Sequence, residues 1–329
     1  MSIEFRGTGL SLKTNSVELY ERISKDFSHF LVPELKNPPI FNITSLKEDR
    51  PSITIPTSIS LSRESKNSKT YDDEKIRYND YGDLISKYDY DKESGLISSG
   101  SIERLHEITY LLILSRVGKY QDLLGIHKVH ALGFIYKGVC CVGMMNMGVG
   151  KSTLLMELLK DPEVELLSDD SPLIDGRGEV LSFPIRIGAS ELPEGLEIED
   201  PKENIYRLIR KEYGEKNLIC LQGIKNKIGT QYKKIVVFEG KRGNRRLTRA
   251  SSISLWLSLQ KHMVIGIGLP IIFEYFWESG ISDFIRKTKI FFLRQRAAIN
   301  FSRNCEFYKF SLGKSSEENA KALKELLEN

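Results

Sequence analysis

The stretch Gly138-Val139-Cys140-Cys141-Val142-Gly143-Met144-Met145-Asn146-Met147-Gly148-Val149-Gly150-Lys151-Ser152-Thr153 decides how this chain is read. An apolar run ends in a glycine-spaced turn, and Leu154 to Lys160 then continues at helical spacing. The order is strand, loop, helix. Gly148 and Gly150 let the backbone curl so that N–H groups face inward, which suits phosphate oxygens. A helix opening near Lys151 adds unsatisfied N–H groups and a positive dipole end. The Lys151 ammonium can reach β- and γ-phosphates, and the Ser152 hydroxyl can ligate Mg²⁺. Asn146, Met147, Gly148, Val149, Gly150, Lys151, Ser152 and Thr153 are therefore the candidate nucleotide-binding segment. Met145 stands where the usual pattern has its first glycine. The plainer alternative is a glycine-rich strand-to-helix turn with an exposed lysine.

The 329 residues suffice for one large or two ordinary domains, and 40% apolar content builds a substantial core. With 48 basic against 44 acidic residues, the net charge of +4 demands no nucleic-acid partner. Cys140, Cys141, Cys220 and Cys305 form no CxxC pair, which argues for reduced, structural thiols in a cytoplasm. The N-terminus lacks the apolar core of a signal peptide. Met263 to Phe273, the longest apolar stretch, is too short to span a bilayer and reads as core. A cytoplasmic protein without membrane attachment is expected.

Residues 1–104 read as an N-terminal α+β piece, a lid or substrate platform, and residues 105–329 as the catalytic domain. Strands are expected at Ser2 to Leu12 and Ser52 to Leu61, a helix over Ser16 to Phe30, and a loop over Arg63 to Asp73. Lys75 to Ser98 reads as short strands around turns at Tyr81-Gly82 and Ser94-Gly95. Ile102 to Leu124 turns helical and Gly125 is a plausible stop. Val129 to Tyr136 and Val139 to Gly143 read as a hairpin feeding the glycine loop. Later expectations are a strand at Val164 to Leu167, a pair at Pro172 to Ile174 and Val180 to Ile187, and a helix over Asn204 to Tyr213. Asn217 to Ile224 and Tyr232 to Phe238 read as strands, and Ser252 to Met263 as a helix. Pro270 to Trp277 and Ile281 to Lys287 read as short helices, Lys289 to Arg294 and Phe307 to Leu312 as strands, and Ser316 to Leu327 as a closing helix.

Asp169 and Asp170 end a short apolar strand after the loop. One such carboxylate can hold Mg²⁺ and the other can accept a proton from an attacking hydroxyl. Neighbours on a strand point to opposite faces, so the two do not share one job. Asp-Asp-Ser-Pro is also good turn chemistry by itself. His130 lies in the strand before the loop, where a lone histidine is more often a core residue. His29, His106, His127 and His262 show no ligand spacing. Lys241, Arg242, Arg245, Arg246 and Arg249 read as a basic loop; Arg242, Arg245 and Arg246 are candidates for an acceptor or phosphate site, against an ordinary solvated loop.

Val129-His130-Ala131, Gly148-Val149-Gly150-Lys151-Ser152 and Leu166-Leu167-Ser168-Asp169-Asp170, in that order, resemble the catalytic domain of HPr kinase/phosphorylase. They are also similar to the shorter HPr-kinase-like serine kinases of the phosphoenolpyruvate-carboxykinase fold. The specific likeness covers about residues 126–190. It implies an α/β mixed-sheet P-loop kinase core and ATP-dependent phosphorylation of a hydroxyl on a peptide, protein or small molecule. It makes Asp170 the base, His130 its polar support, Lys151 the phosphate clamp and Ser152 a Mg²⁺ ligand; Asp169, the other carboxylate of the pair, is the candidate to join Ser152 on Mg²⁺. The chain departs from the family at Met145, and at Phe183-Pro184-Ile185-Arg186-Ile187-Gly188, which lacks the family's acid. No nucleic acid is expected, and homo-oligomerisation is left open. The rival reading is a nucleotide-binding regulatory or assembly protein that transfers nothing.

Overall fold

Short strands dominate the first hundred residues and strands alternate with helices after them, so the protein is α/β with mixed sheets. The computed structural model describes residues 1–189, 191–192, 194–210, 214–265 and 281–328. They divide into two compact units, one chiefly Met1–Tyr120 and one chiefly the chain from Gln121 onward.

In the first unit β1 (Ser2–Phe5) and β2 (Thr8–Thr14) turn about Arg6 and Gly7, so the expected single strand is a hairpin. Ser16 caps α1 (Val17–Asp26) by accepting the Leu19 N–H. A nine-stranded sheet is completed by β3 (Leu31–Val32), β4 (Phe41–Lys47), β5 (Leu61–Glu64), β6 (Lys69–Asp73), β7 (Ile76–Asp80), β8 (Leu84–Asp89) and β9 (Ser94–Ser99). Two expectations fail here. Ser52 to Ser60 forms no strand, because Pro51 and Pro56 interrupt its ladder donors. Arg63 to Asp73 is not a loop; it belongs to the β5–β6 hairpin, whose polar residues hid the pairing. Ser94-Gly95 opens β9, and the turn lies just before it.

The second unit follows α2 (Ile102–Leu123), which stops before Gly125 at φ +77°. Its elements are β10 (Ile126–Lys128), β11 (Ala131–Tyr136), β12 (Val139–Met145), α3 (Lys151–Leu158), β13 (Val164–Ser168), β14 (Leu173–Asp175), β15 (Val180–Leu181), β16 (Ile187–Ala189), α4 (Pro201–Asn204), β17 (Ile205–Arg210), β18 (Gly214–Ile219), β19 (Lys234–Arg242), β20 (Arg246–Arg249), α5 (Ser252–Leu259), α6 (Ile281–Arg303), β21 (Cys305–Leu312) and α7 (Ser316–Glu328). The central sheet has the order β13-β11-β12-β19-β21-β20. β11 and β12 form the expected hairpin through Lys137 and Gly138. β12 and β19 are parallel, as are β19 and β21, while β11 is antiparallel to both its neighbours. β12 and β13 therefore run the same way, and the glycine turn and the aspartate pair leave the sheet at one end.

Alternation along the strands sets two core layers. Leu132, Phe134, Tyr136, Cys141 and Met145 pack with α3 and α7. Ala131, Ile135, Cys140, Val142 and Met144 pack with α5 and α6. A sheet covered on both faces reads as continuous apolar runs. Each large side chain so buried contributes on the order of 2 kcal/mol.

Several expectations are corrected. The strand expected over Val129 to Tyr136 is β11, which begins at Ala131; Val129 and His130 link it to β10, which belongs to a three-stranded sheet with β14 and β15. Val180 to Ile187 breaks after Leu181, and β16 pairs with β18 instead. Asn204 to Tyr213 is not a helix, because α4 stops at Asn204 and β17 begins; residues 211–213 lie outside the described residues. The strand expected to run to Ile224 ends at Ile219. Lys241 to Arg249 is not a loop: Lys241 and Arg242 end β19, and Arg246 to Arg249 form edge strand β20. Lys289 to Arg294 is not a strand but the middle of α6, where Ile290, Arg294, Ala297, Ala298 and Phe301 are buried at helical spacing. Most of Met263 to Phe273, and all of Pro270 to Trp277, lie outside the described residues.

Candidate functional site

β12 ends at Met145, whose carbonyl accepts a hydrogen bond from Lys151 Nζ at 3.2 Å. Asn146 and Val149 close a turn, the Val149 N–H donating to the Asn146 carbonyl at 3.3 Å. Gly148 has φ +79° and Gly150 φ +111°, values that L side chains rarely adopt. No atom lies within 4 Å of a Cβ built at either, so only the backbone conformation requires glycine. The N–H groups of Lys151, Ser152 and Thr153, in the first turn of α3, have no carbonyl one turn back. Met145 is accommodated across the sheet. It faces Gly240 on β19, where a Cβ would stand 2.6 Å from Met145 Cγ.

The ammonium of Lys151 is buried among three acceptors. Besides Met145 it meets His130 Nε2 at 2.7 Å and Asp170 Oδ1 at 3.1 Å. His130 Nδ1 lies 3.3 Å from the same Asp170 oxygen. An ammonium only donates, so Nε2 accepts and the ring proton sits on Nδ1, facing Asp170. Burial works to raise the Asp170 pKa, but the His130 contact and the Lys151 charge outweigh it and hold the carboxyl below its usual range. Asp169 takes different partners, as alternation requires. Ser152 Oγ donates to its Oδ2 at 3.1 Å and the Gly188 N–H at 3.4 Å, while Oδ1 is buried without a partner. Burial and then the neighbouring Asp170 charge push Asp169 up to about 6. Adjacent carboxyls driven apart in this way suit different tasks.

Of the basic residues, Arg242 is brought to the loop, Nη2 donating to the Gly148 carbonyl at 3.4 Å. Arg245 pairs with Glu318 at 2.7 Å and Arg246 is exposed at the start of β20, so neither joins the cluster. A groove of 80 Å³ runs beside the loop between Gly150, Thr153, Arg242 and Lys314. Asn146 and Met147 are exposed at the turn. A larger cleft of 690 Å³ belongs to the first unit; Arg104 there is already paired with Asp83 and Glu107. His106 and His127 are buried against Asp26 and Asp122.

From sequence no site role falls to Gly188 or Gly240, and His262 reads only as a histidine without ligand spacing. Gly188 supplies its backbone N–H to Asp169 from the stretch Phe183 to Gly188. The His262 carbonyl accepts the His130 N–H at 2.8 Å, and the two rings lie parallel, 12° apart with centroids 6.1 Å apart. No local pattern announces contacts across such separations. No protein-family model matches this chain, and no curated protein matches it at a significant level.

Proposed function

We propose that this protein is an ATP-dependent phosphotransferase of the HPr kinase and phosphoenolpyruvate-carboxykinase type, moving the γ-phosphoryl group to a hydroxyl of a peptide, a protein or a small molecule. The observation that carries the reading is the meeting of Lys151, His130 and Asp170 beside the glycine turn. The loop N–H groups and Lys151 would hold the β- and γ-phosphates. Asp170 would take the proton from the acceptor hydroxyl as its oxygen bonds to phosphorus and ADP departs. The loose transition state of such transfers asks little of the base before that bond forms, so a carboxyl of low pKa suffices.

Mg²⁺ fits the donor set. The unpartnered Asp169 Oδ1 and the Ser152 hydroxyl are oxygens of the kind it takes, one or two from protein with the rest from phosphate and water. Bound there it would neutralise charge on the phosphates.

Asp170→Asn tests the reading by calorimetric ATP affinity and single-turnover transfer from labelled ATP, with slow hydrolysis standing in for transfer until an acceptor is found. A loss of about 10²–10⁴-fold in the chemical step with binding preserved is expected. Wild-type turnover in that variant removes the kinase mechanism and leaves the ATP-binding regulator.

A further inference from the structure

After α5 the backbone makes one π turn, Gln260–Val264, closed by the Ile265 N–H on the Gln260 carbonyl at 2.9 Å. Single π turns are rare and recur at functional sites. This one sets two groups of one residue against His130: the His262 carbonyl accepts its backbone N–H, and the His262 ring lies nearly parallel to its ring with centroids 6.1 Å apart. The turn is held from behind. Arg294 Nη1 donates to the Met263 carbonyl at 2.7 Å, while Nε and Nη2 are clamped by Asp122 at 2.9 and 2.6 Å. His127 adds a 2.6 Å contact to the same carboxylate. Asp122, His127, Arg294 and His262 are all buried.

The hydrogen bond at Nε2 and the 3.3 Å approach of Nδ1 to Asp170 place the His130 ring at two edges but let it rock about the line joining them. A parallel neighbouring ring, on a backbone tied to the His130 N–H, limits that freedom. We propose that His262 is a positioning residue for His130, the π turn fixing the imidazole plane so that Nε2 meets Lys151 and Nδ1–H meets Asp170. A charged ring there would oppose Lys151 and Lys261; burial, and then those cations and His130, keep His262 neutral. The consequence for turnover rests on the phosphotransfer reading, whereas the ring geometry does not.

The test uses the full chain with ¹⁵N-labelled histidine. His262→Leu keeps volume and removes the ring, and His262→Phe restores a ring without nitrogens. In the wild type and the phenylalanine variant, His130 should show the Nδ1–H tautomer; in the leucine variant it should show a mixture. Phosphate transfer should fall about ten- to a hundredfold in the leucine variant alone, with ATP affinity nearly unchanged. Unchanged His130 signals in a folded leucine variant overturn the proposal, as does a phenylalanine variant that loses the tautomer equally. Should the leucine variant not fold, Arg294→Lys keeps the charge but loosens the clamp, and it must give the same mixture or the proposal fails. A wild type that turns over no ATP would defeat the phosphotransfer reading while the tautomer measurement still decides the role of His262.

Discussion

At the scale of the residue, Lys151 is the most exposed to test because it bonds Met145, His130 and Asp170 at once. Lys151→Ala removes the cation fixed at the loop. The affinity for ATP with Mg²⁺, measured by calorimetry, should fall at least about a hundredfold, or roughly 2.7 kcal/mol. Unchanged affinity in a folded variant would make the loop merely structural. Arg242→Ala should weaken binding less, by several-fold, and Arg246→Ala hardly at all, because only Arg242 reaches the loop. His262 gives a pH signature. Burial pushes it down to about 3, from 6.5 when free. Between those values the unfolded chain binds a proton that the native protein does not. Stability therefore rises with pH through the window and is fully present above about 6.5. At about 1.4 kcal/mol per unit, acidification to pH 4.5 removes on the order of 3 kcal/mol. Urea unfolding at pH 4.5 and 7.5 should show this loss in the wild type and a smaller one in His262→Phe. Equal losses in the two proteins would place the acid sensitivity elsewhere.

At the scale of the element, β12 and β19 are matched to one another. Gly240→Ala puts a methyl group into Met145 and should cost about 1–3 kcal/mol in chemical denaturation. Met145→Ala added to it should recover part of that cost, and strict additivity would show that the two side chains do not compete for space. The elements also show what the sequence could reveal. The glycine turn, the hairpin entering it and the strand ending in Asp169 were legible because their signals are local: apolar runs, glycine spacing, carboxylates at a strand end. The β5–β6 hairpin was not, since its ladder pairs polar, exposed residues and alternation measures only burial. Lys289 to Arg294 misled because a short apolar run has no period of its own. Only the full 23 residues of α6 show the helical spacing of Ile290, Arg294, Ala297 and Phe301. His130 was legible as a neighbour of the loop but not as a residue held by His262, because that contact is made by packing between distant segments.

At the scale of the whole molecule, the thiols are largely hidden. Cys140, Cys141 and Cys220 are buried and Cys305 half-buried. Cys140 and Cys141 serve opposite faces of β12, so adjacency does not let them pair. Burial raises the Cys140 and Cys141 thiols and pushes Cys305 up to about 12, leaving almost no thiolate at neutral pH. Iodoacetamide should modify the native protein slowly and at Cys305 first, while all four sites react once urea unfolds it; mass spectrometry of the intact chain checks this. Rapid native alkylation at Cys140 or Cys141 would mean that β12 opens readily. No described helix is long and apolar enough to cross a membrane.

The accommodation of Met145 by Gly240 bears on how proteins of this kind are found. A search pattern reads the chain as a string and scores the bulky residue before the turn as a fault. The sheet makes Met145 and Gly240 neighbours, and Met145 fills the space that a side chain at Gly240 would take. The two positions should change together through descent: chains with glycine at the first should tolerate a side chain at the second, and chains with methionine or leucine at the first should not. A motif written as a pair of facing register positions would accept chains such as this one that the linear motif discards.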